Sequence, residues 1–207
     1  MKSFKFIRFL FVVFCFTVFV ACQDTVNHPN QKSEVNHTEN MNTNKKILVV
    51  YFSQTGTTKT LAEYASDILN ADIYEIIAAD PYTKEDLAYY TNGRADQEQN
   101  NATVRPKISG RIENMKDYET IILGYPIWHG NAPRIIYTFL ESYDFSGKTI
   151  IPFCTSHSSG IGSSASDLHQ LTSSTTVWHE GRRFSKETSK EEVKDFFKGL
   201  LTSFLKQ

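Results

Sequence analysis

Six apolar and aromatic residues, Ile47-Leu-Val-Val-Tyr-Phe52, run directly into Ser53-Gln-Thr-Gly-Thr-Thr58, and these into Lys59-Thr-Leu-Ala-Glu-Tyr-Ala65. The first run reads as a buried strand, the hydroxyl-rich stretch as a loop, and the residues after it as an amphipathic helix. Such a loop ends where the N–H groups of a helix N-terminus are unpaired and the helix dipole favours negative charge. The hydroxyls of Ser53, Thr55, Thr57 and Thr58, together with Gly56 and Gln54, surround that point. No Arg or Lys precedes Lys59 in the loop. Neutral N–H and O–H donors would therefore meet the charge, which suits a phosphate monoester that is held rather than transferred.

Two other phosphate-binding loops are excluded by residue type. A P-loop requires Gly-Lys-Ser/Thr, whereas Gly56 is followed by Thr57 and Thr58. The dinucleotide fingerprint requires three glycines, and only Gly56 is present. Taken in isolation the stretch also reads as an ordinary strand-to-helix turn with a Ser/Thr cap, so its meaning depends on what the rest of the chain supplies.

Residues 1–21 form a separate unit. Lys2, Lys5 and Arg8 precede the apolar run Phe9 to Val20, and Ala21-Cys22 follows. A basic segment, an apolar stretch too short to span a bilayer comfortably, and a small residue before a cysteine resemble a bacterial lipoprotein signal. That resemblance implies that Cys22 carries the lipid and begins the mature chain, placing the protein in the bacterial cell envelope, anchored on the non-cytoplasmic side. An uncleaved membrane anchor and a simple secretory signal are the other readings. All three export the remainder of the chain. Residues 22–45 are Asn, His, Thr, Ser, Glu and Lys with almost no apolar side chain, the composition of a flexible tether. His28 and His37 within it have no Cys or His at metal-ligand spacing.

Loss of residues 1–21 removes three basic residues and no acidic ones, leaving 19 Lys and Arg against 23 Asp and Glu, a net charge of −4. That balance argues against nucleic acid as a partner. Residues 46–207 have the size of one domain. Cys154 is the only cysteine in that part, so no internal disulfide is possible. Its position at the end of Thr149-Ile-Ile-Pro-Phe-Cys154 reads as a buried strand end with no adjacent base.

Further strands are expected over 73–78, 120–124, 148–154 and 175–179, with helical patterns near 133–143, 164–171 and 190–205. Alternating apolar strands and helices predict a five-stranded, doubly wound parallel sheet covered on both faces. The segment 79–119 is too polar to be all core and is expected to hold one helix and an irregular excursion. Phe196, Phe197, Leu200, Leu201 and Phe204 have the spacing of a core-facing stripe, and Arg182 and Arg183 read as surface charges.

In open α/β sheets the ligand lies beyond the carboxyl ends of the strands. Besides the first loop, two others leave that edge with unusual chemistry. Gly124-Tyr-Pro-Ile-Trp-His-Gly-Asn-Ala-Pro133 offers an indole as a flat platform, with an imidazole beside it. Thr155-Ser-His-Ser-Ser-Gly-Ile-Gly-Ser-Ser164 offers small residues that let backbone amides approach a planar ring and hydroxyls for its polar edge. Trp128 also reads as a core aromatic, and His129 and His157 as plain loop residues.

With the three loops in this order, the domain resembles the flavodoxin-like FMN-binding proteins, in the branch with a Gly-Tyr-Pro-Ile-Trp loop. The resemblance covers 46–207 and implies the strand order 2-1-3-4-5 and FMN as cofactor. It assigns the phosphate to Ser53, Gln54, Thr55, Gly56, Thr57 and Thr58. One side of the isoalloxazine falls to Pro126, Ile127, Trp128, His129 and Gly130, and the other to Thr155, Ser156, His157, Ser158 and Gly160. The third loop lacks the stacking Tyr of the electron-carrier flavodoxins, and the chain lacks their strong acidity. A small-molecule or protein redox partner is implied, with electron transfer or NAD(P)H-linked reduction of a small acceptor such as a quinone as the function. No nucleophile is needed, and the chain has no paired-carboxylate site, zinc pattern or Gly-x-Ser-x-Gly elbow. A non-catalytic module binding a nucleotide or other phosphorylated ligand is the alternative on the same fold.

Overall fold

The computed structural model describes residues 46–204. The signal, Cys22 and the rest of the tether lie outside the described residues, as do the side chains of Leu201 and Phe204.

The strands are β1 (Ile47–Tyr51), β2 (Asp72–Glu75), β3 (Ile77–Ala78), β4 (Ile108–Ser109), β5 (Thr120–Pro126), β6 (Thr149–Thr155), β7 (Val177–Trp178) and β8 (Arg182–Phe184). The helices are α1 (Thr57–Leu69), α2 (Arg94–Asn100), α3 (Arg134–Glu141) and α4 (Lys190–Phe204), with 3₁₀ turns at Met115–Asp117 and Ser166–Leu171. The main sheet is parallel throughout, in the order β2-β1-β5-β6-β7, with β8 also on β6. This is the 2-1-3-4-5 order of a doubly wound fold.

Burial on both faces explains the unbroken apolar runs. Val49 and Tyr51 of β1, Ile122 of β5, and Ile151 and Phe153 of β6 pack with Leu61, Ala62, Val193 and Phe197 under α1 and α4. The alternate residues Leu48, Val50, Ile121, Leu123 and Ile150 face Ile135, Ile136, Phe139 and Leu140 of α3. Helix α1 buries Thr58, Leu61, Ala62 and Ala65, the one-face spacing of an amphipathic helix. Helix α4 starts on a reciprocal cap: the Ser189 N–H and hydroxyl donate to the Glu192 carboxylate, while the Glu192 N–H donates to the Ser189 oxygen. Of the stripe expected on α4, Phe197 is buried and Phe196 and Leu200 are partly so.

Three boundaries differ from the sequence reading. The segment 73–78 is two strands: β2 stays in the main sheet, and β3 leaves it to pair antiparallel with β4. The pattern at 164–171 is a 3₁₀ turn, with Leu168 buried in the core and Leu171 partly buried against it. The last strand position is shared. β7 pairs with Thr149 and Ile150, and β8 pairs with Phe153 to Thr155. The break falls opposite Pro152. The Ile150 carbonyl accepts from the His179 N–H at 3.0 Å, so residues of that parity point toward this edge. Two residues on, Pro152 has no N–H to offer, and the ladder lapses there. The chain passes the gap at Gly181, where a Cβ would lie 2.4 Å from Ile161 Cδ1 and 2.9 Å from the Pro152 carbonyl oxygen.

Gly181→Ala is accordingly expected to destabilise the domain by about 2 kcal/mol, as overpacking does. Thermal unfolding should record a lowered Tm, and an unchanged Tm would show that this passage yields freely.

Candidate functional site

The three loops converge because their strands are neighbours. The Phe52 N–H donates to the Gly124 carbonyl at 3.0 Å, and the Ile127 N–H to the Thr155 carbonyl at 2.8 Å. Thr58 and Thr155, both buried, share a hydroxyl hydrogen bond of 2.7 Å that joins the first loop to the third. Gly124 permits this closeness: in register with Phe153, it would place a Cβ 2.3 Å from that ring.

In the first loop, Gly56 at φ 86° turns the chain into α1 and provides no side-chain cap. Among the described hydrogen bonds, none uses the N–H groups from Ser53 to Lys59. The Ser53 hydroxyl is buried with no partner. Unpaired donors aimed into one turn at a helix N-terminus are a site for an oxyanion, and leaving them empty would be costly in a closed interior. Gln54 and Thr55 line the adjoining hollow, and Thr57 is half-buried.

In the second loop the Trp128 and Asn131 backbones exchange two hydrogen bonds of 2.9 Å around His129 and Gly130, whose φ values are 48° and 81°. This is a two-residue reverse turn with both central residues left-handed, which explains the glycine. Pro126 is half-buried before it, and Ile127 is 8 % exposed. Trp128 is also 8 % exposed and meets Phe52 and Tyr82 edge-on, at centroid distances of 5.5 and 5.3 Å. The indole thus belongs to the core cluster while one margin lines the hollow.

The third loop is held from the sheet edge. Arg183, read from sequence as a surface charge, is half-buried and donates to the Ser156 and His157 carbonyls at 2.9 and 2.7 Å. The Ser156 hydroxyl donates to the Ser159 carbonyl, and His157, Ser158 and Gly160 are exposed. Buried Tyr125 meets the Ser164 hydroxyl at 3.2 Å where the loop ends. Cys154 beneath it is inert: burial pushes its thiol up to about 12.

The crossover adds residues that sequence reasoning did not single out. Helix α2 buries Asp96, Glu98 and Gln99 on its inner side. The Gln99 carboxamide donates to the Trp128 and Ala132 carbonyls at 3.0 and 3.2 Å and accepts from the Arg134 N–H at 3.1 Å, clasping the second loop. Glu98 accepts from Arg94 at 2.7 Å and from the Tyr82 hydroxyl. Asp96, 4 % exposed, lies 2.8 Å from His129 Nε2 and accepts from the Asn92 N–H at 2.9 Å. Tyr89 stacks on the His129 ring at 4.9 Å. The one hint in the sequence was an acidic, amide-rich helix in a segment otherwise poor in apolar residues.

Burial pushes the Asp96 carboxyl up, but the Asn92 N–H, the His129 imidazole and the Tyr90 N–H outweigh it and hold the group below its usual range. Its charged form therefore stabilises the fold above about pH 4, and the contribution disappears as pH falls through the depressed folded value. Asp96→Asn is expected to lower Tm at neutral pH, with the gap from the unaltered protein closing in acid. A gap that stays constant with pH would contradict this account.

The sequence profile of the flavodoxin family matches residues 46–200. A protein of Bacteroides eggerthii assigned to the flavoproteins is 40 % identical, aligning over 76 % of this chain and 99 % of its own with a TM-score of 0.71. One from Bacteroides uniformis is 39 % identical over 74 % of this chain and 98 % of its own, with the same TM-score of 0.71. The fold is shared more distantly, at 23 % identity and a TM-score of 0.55 over 67 % of this chain and 93 % of the other, with a Lactobacillus acidophilus flavoprotein solved in complex with FMN. No curated protein matches the chain. With a family profile spanning the whole described sheet and its three loops, the chain belongs to the flavodoxin family.

Proposed function

We propose that the protein is an FMN-binding flavoprotein that transfers electrons to, or reduces with NAD(P)H, a small acceptor such as a quinone while tethered to a membrane through Cys22. The observation that carries the cofactor assignment is the first loop. Its N–H groups from Ser53 to Lys59 are unpaired and the Ser53 hydroxyl is buried without a partner. A terminal phosphate monoester satisfies those donors, and nothing in the loop requires transfer of the phosphoryl group.

In this reading Ser53 to Thr58 hold the phosphate. Pro126, Ile127, Trp128, His129 and Gly130 border one side of the ring system, and Thr155, Ser156, His157, Ser158 and Gly160 the other. Bound FMN supplies the redox chemistry, taking or giving one or two electrons. The chain's own contribution is rigidity. Gln99 fixes the second loop, Arg183 fixes the third, and the Thr58–Thr155 hydrogen bond sets their spacing from the first.

The detergent-extracted full-length protein should be yellow and should release FMN on denaturation. After removal of the flavin it should bind FMN roughly a hundredfold more tightly than riboflavin, the effect of about two charge-assisted hydrogen bonds to the phosphate. Ser53→Ala should narrow that ratio. Equal affinity for the two flavins, or failure to take up either, would defeat the assignment.

The membrane tether rests on the pattern Ala21-Cys22 after a short apolar run behind three basic residues. Cys22→Ser should abolish lipid labelling and leave the protein unprocessed or in the soluble fraction. Unchanged processing and labelling would refute the tether.

A further inference from the structure

Outside the three loops, the crossover presents two aromatic rings that the fold does not bury. Tyr90 is 87 % exposed and Tyr89 is 53 % exposed. Their rings lie 5.8 Å apart, and the Tyr90 edge meets the His129 ring at 5.7 Å. Tyr90 stands at φ 59° and His129 at φ 48°. Left-handed backbone is unfavourable for bulky side chains and is kept only where the surroundings enforce it. At His129 the two Trp128–Asn131 backbone hydrogen bonds enforce it, and Asp96 braces the mouth. It receives the Asn92 N–H and pairs with His129 Nε2, fixing both sides of the mouth from beneath.

Two hollows meet at His129 and Asp96. One reaches Gln54 and Thr55 of the first loop and Trp128, and the other is bounded by Tyr90, Asn92 and Asn100. Neither is lined by Lys or Arg, and Asp96 is the acidic group in both. The nearby cation Arg94 is committed to Glu98 and Asp80. Away from the first loop, a ligand bearing further phosphates, such as a dinucleotide, would find no Lys or Arg in these hollows, and the one imidazole that lines them, His129, is already paired with the Asp96 carboxylate. A flat uncharged ring would find tyrosine rings for stacking and the carboxamides of Asn92 and Asn100 as donors to its oxygens.

We propose that the mouth formed by Tyr89, Tyr90 and His129, braced by Asp96, is the acceptor subsite, and that it takes an uncharged planar ring carrying carbonyl oxygens rather than an anionic ligand. The proposal rests on the flavoprotein reading above and gives that reading's acceptor a location and a charge class.

Calorimetric titration of the FMN-loaded full-length protein with naphthoquinone, and separately with its sulfonate, tests it. The neutral ring should bind more tightly than the sulfonate. Tyr90→Asn, which suits a left-handed backbone, should weaken naphthoquinone binding roughly fivefold to a hundredfold, by analogy with aromatic stacking elsewhere. Tyr90→Phe should stay within about twofold of the unaltered protein, and FMN affinity should be unchanged in both variants. Naphthoquinone binding indifferent to Tyr90→Asn, preference for the sulfonate, or a loss of FMN affinity matching the loss of naphthoquinone would each overturn the proposal. Absence of FMN uptake by the unaltered protein would instead refute the flavoprotein reading, with the dependence on Tyr90 still measurable on the FMN-free chain.

Discussion

The parallel ladder between β1 and β5 governs the arrangement of everything else. Ile47 to Tyr51 pair in register with Thr120 to Gly124, and one further bond carries the contact to Phe52. β1 has β2 on its other side and β5 has β6, so the chain winds outward in both directions from this pair. Loops leaving the two strands must diverge to opposite faces, and the space between them is the crevice where ligands of such sheets lie. A one-residue slip would turn Leu48 and Val50 toward the wrong core and separate the first loop from the second.

The crevice is finished by polar groups rather than by more apolar surface. Three buried side chains of a seven-residue helix, Asp96, Glu98 and Gln99, are each matched to specific donors or acceptors. Buried polar groups of this sort contribute modestly to net stability when paired, but leaving one unpaired is costly. They therefore specify one conformation of the second loop more strongly than they stabilise the fold. That agrees with a turn whose two central residues are both left-handed.

Legibility in the sequence followed the range of the interactions. The first strand, its loop and α1 were readable because apolar runs, hydroxyl clusters and helical spacing are local signals. The strand order followed from the resemblance, and the sheet has it. The fate of Trp128 was not readable, because its burial depends on Phe52 and Tyr82, distant in sequence. Arg183 looked like a surface charge because its partners, the Ser156 and His157 carbonyls, belong to another loop. The role of α2 was hidden for the same reason: acidic and amide residues in a polar segment read as solvated until the segment folds over the sheet. The interruption of the last strand had a cue in Pro152, but the cue lies on the neighbouring strand.

Pro152 also bears on how the molecule avoids its own kind. An exposed sheet edge with a long row of free N–H and C=O groups invites pairing with another chain. Here the outer position beside β6 is filled by two strands of two and three residues, separated at the proline. The opposite edge, β2, has four residues and begins and ends in Asp72 and Glu75. Neither edge offers an incoming strand a long uncharged ladder. A missing N–H in the centre of β6 thus acts at the periphery, where it limits the sheet's capacity to extend into a second molecule and so to aggregate.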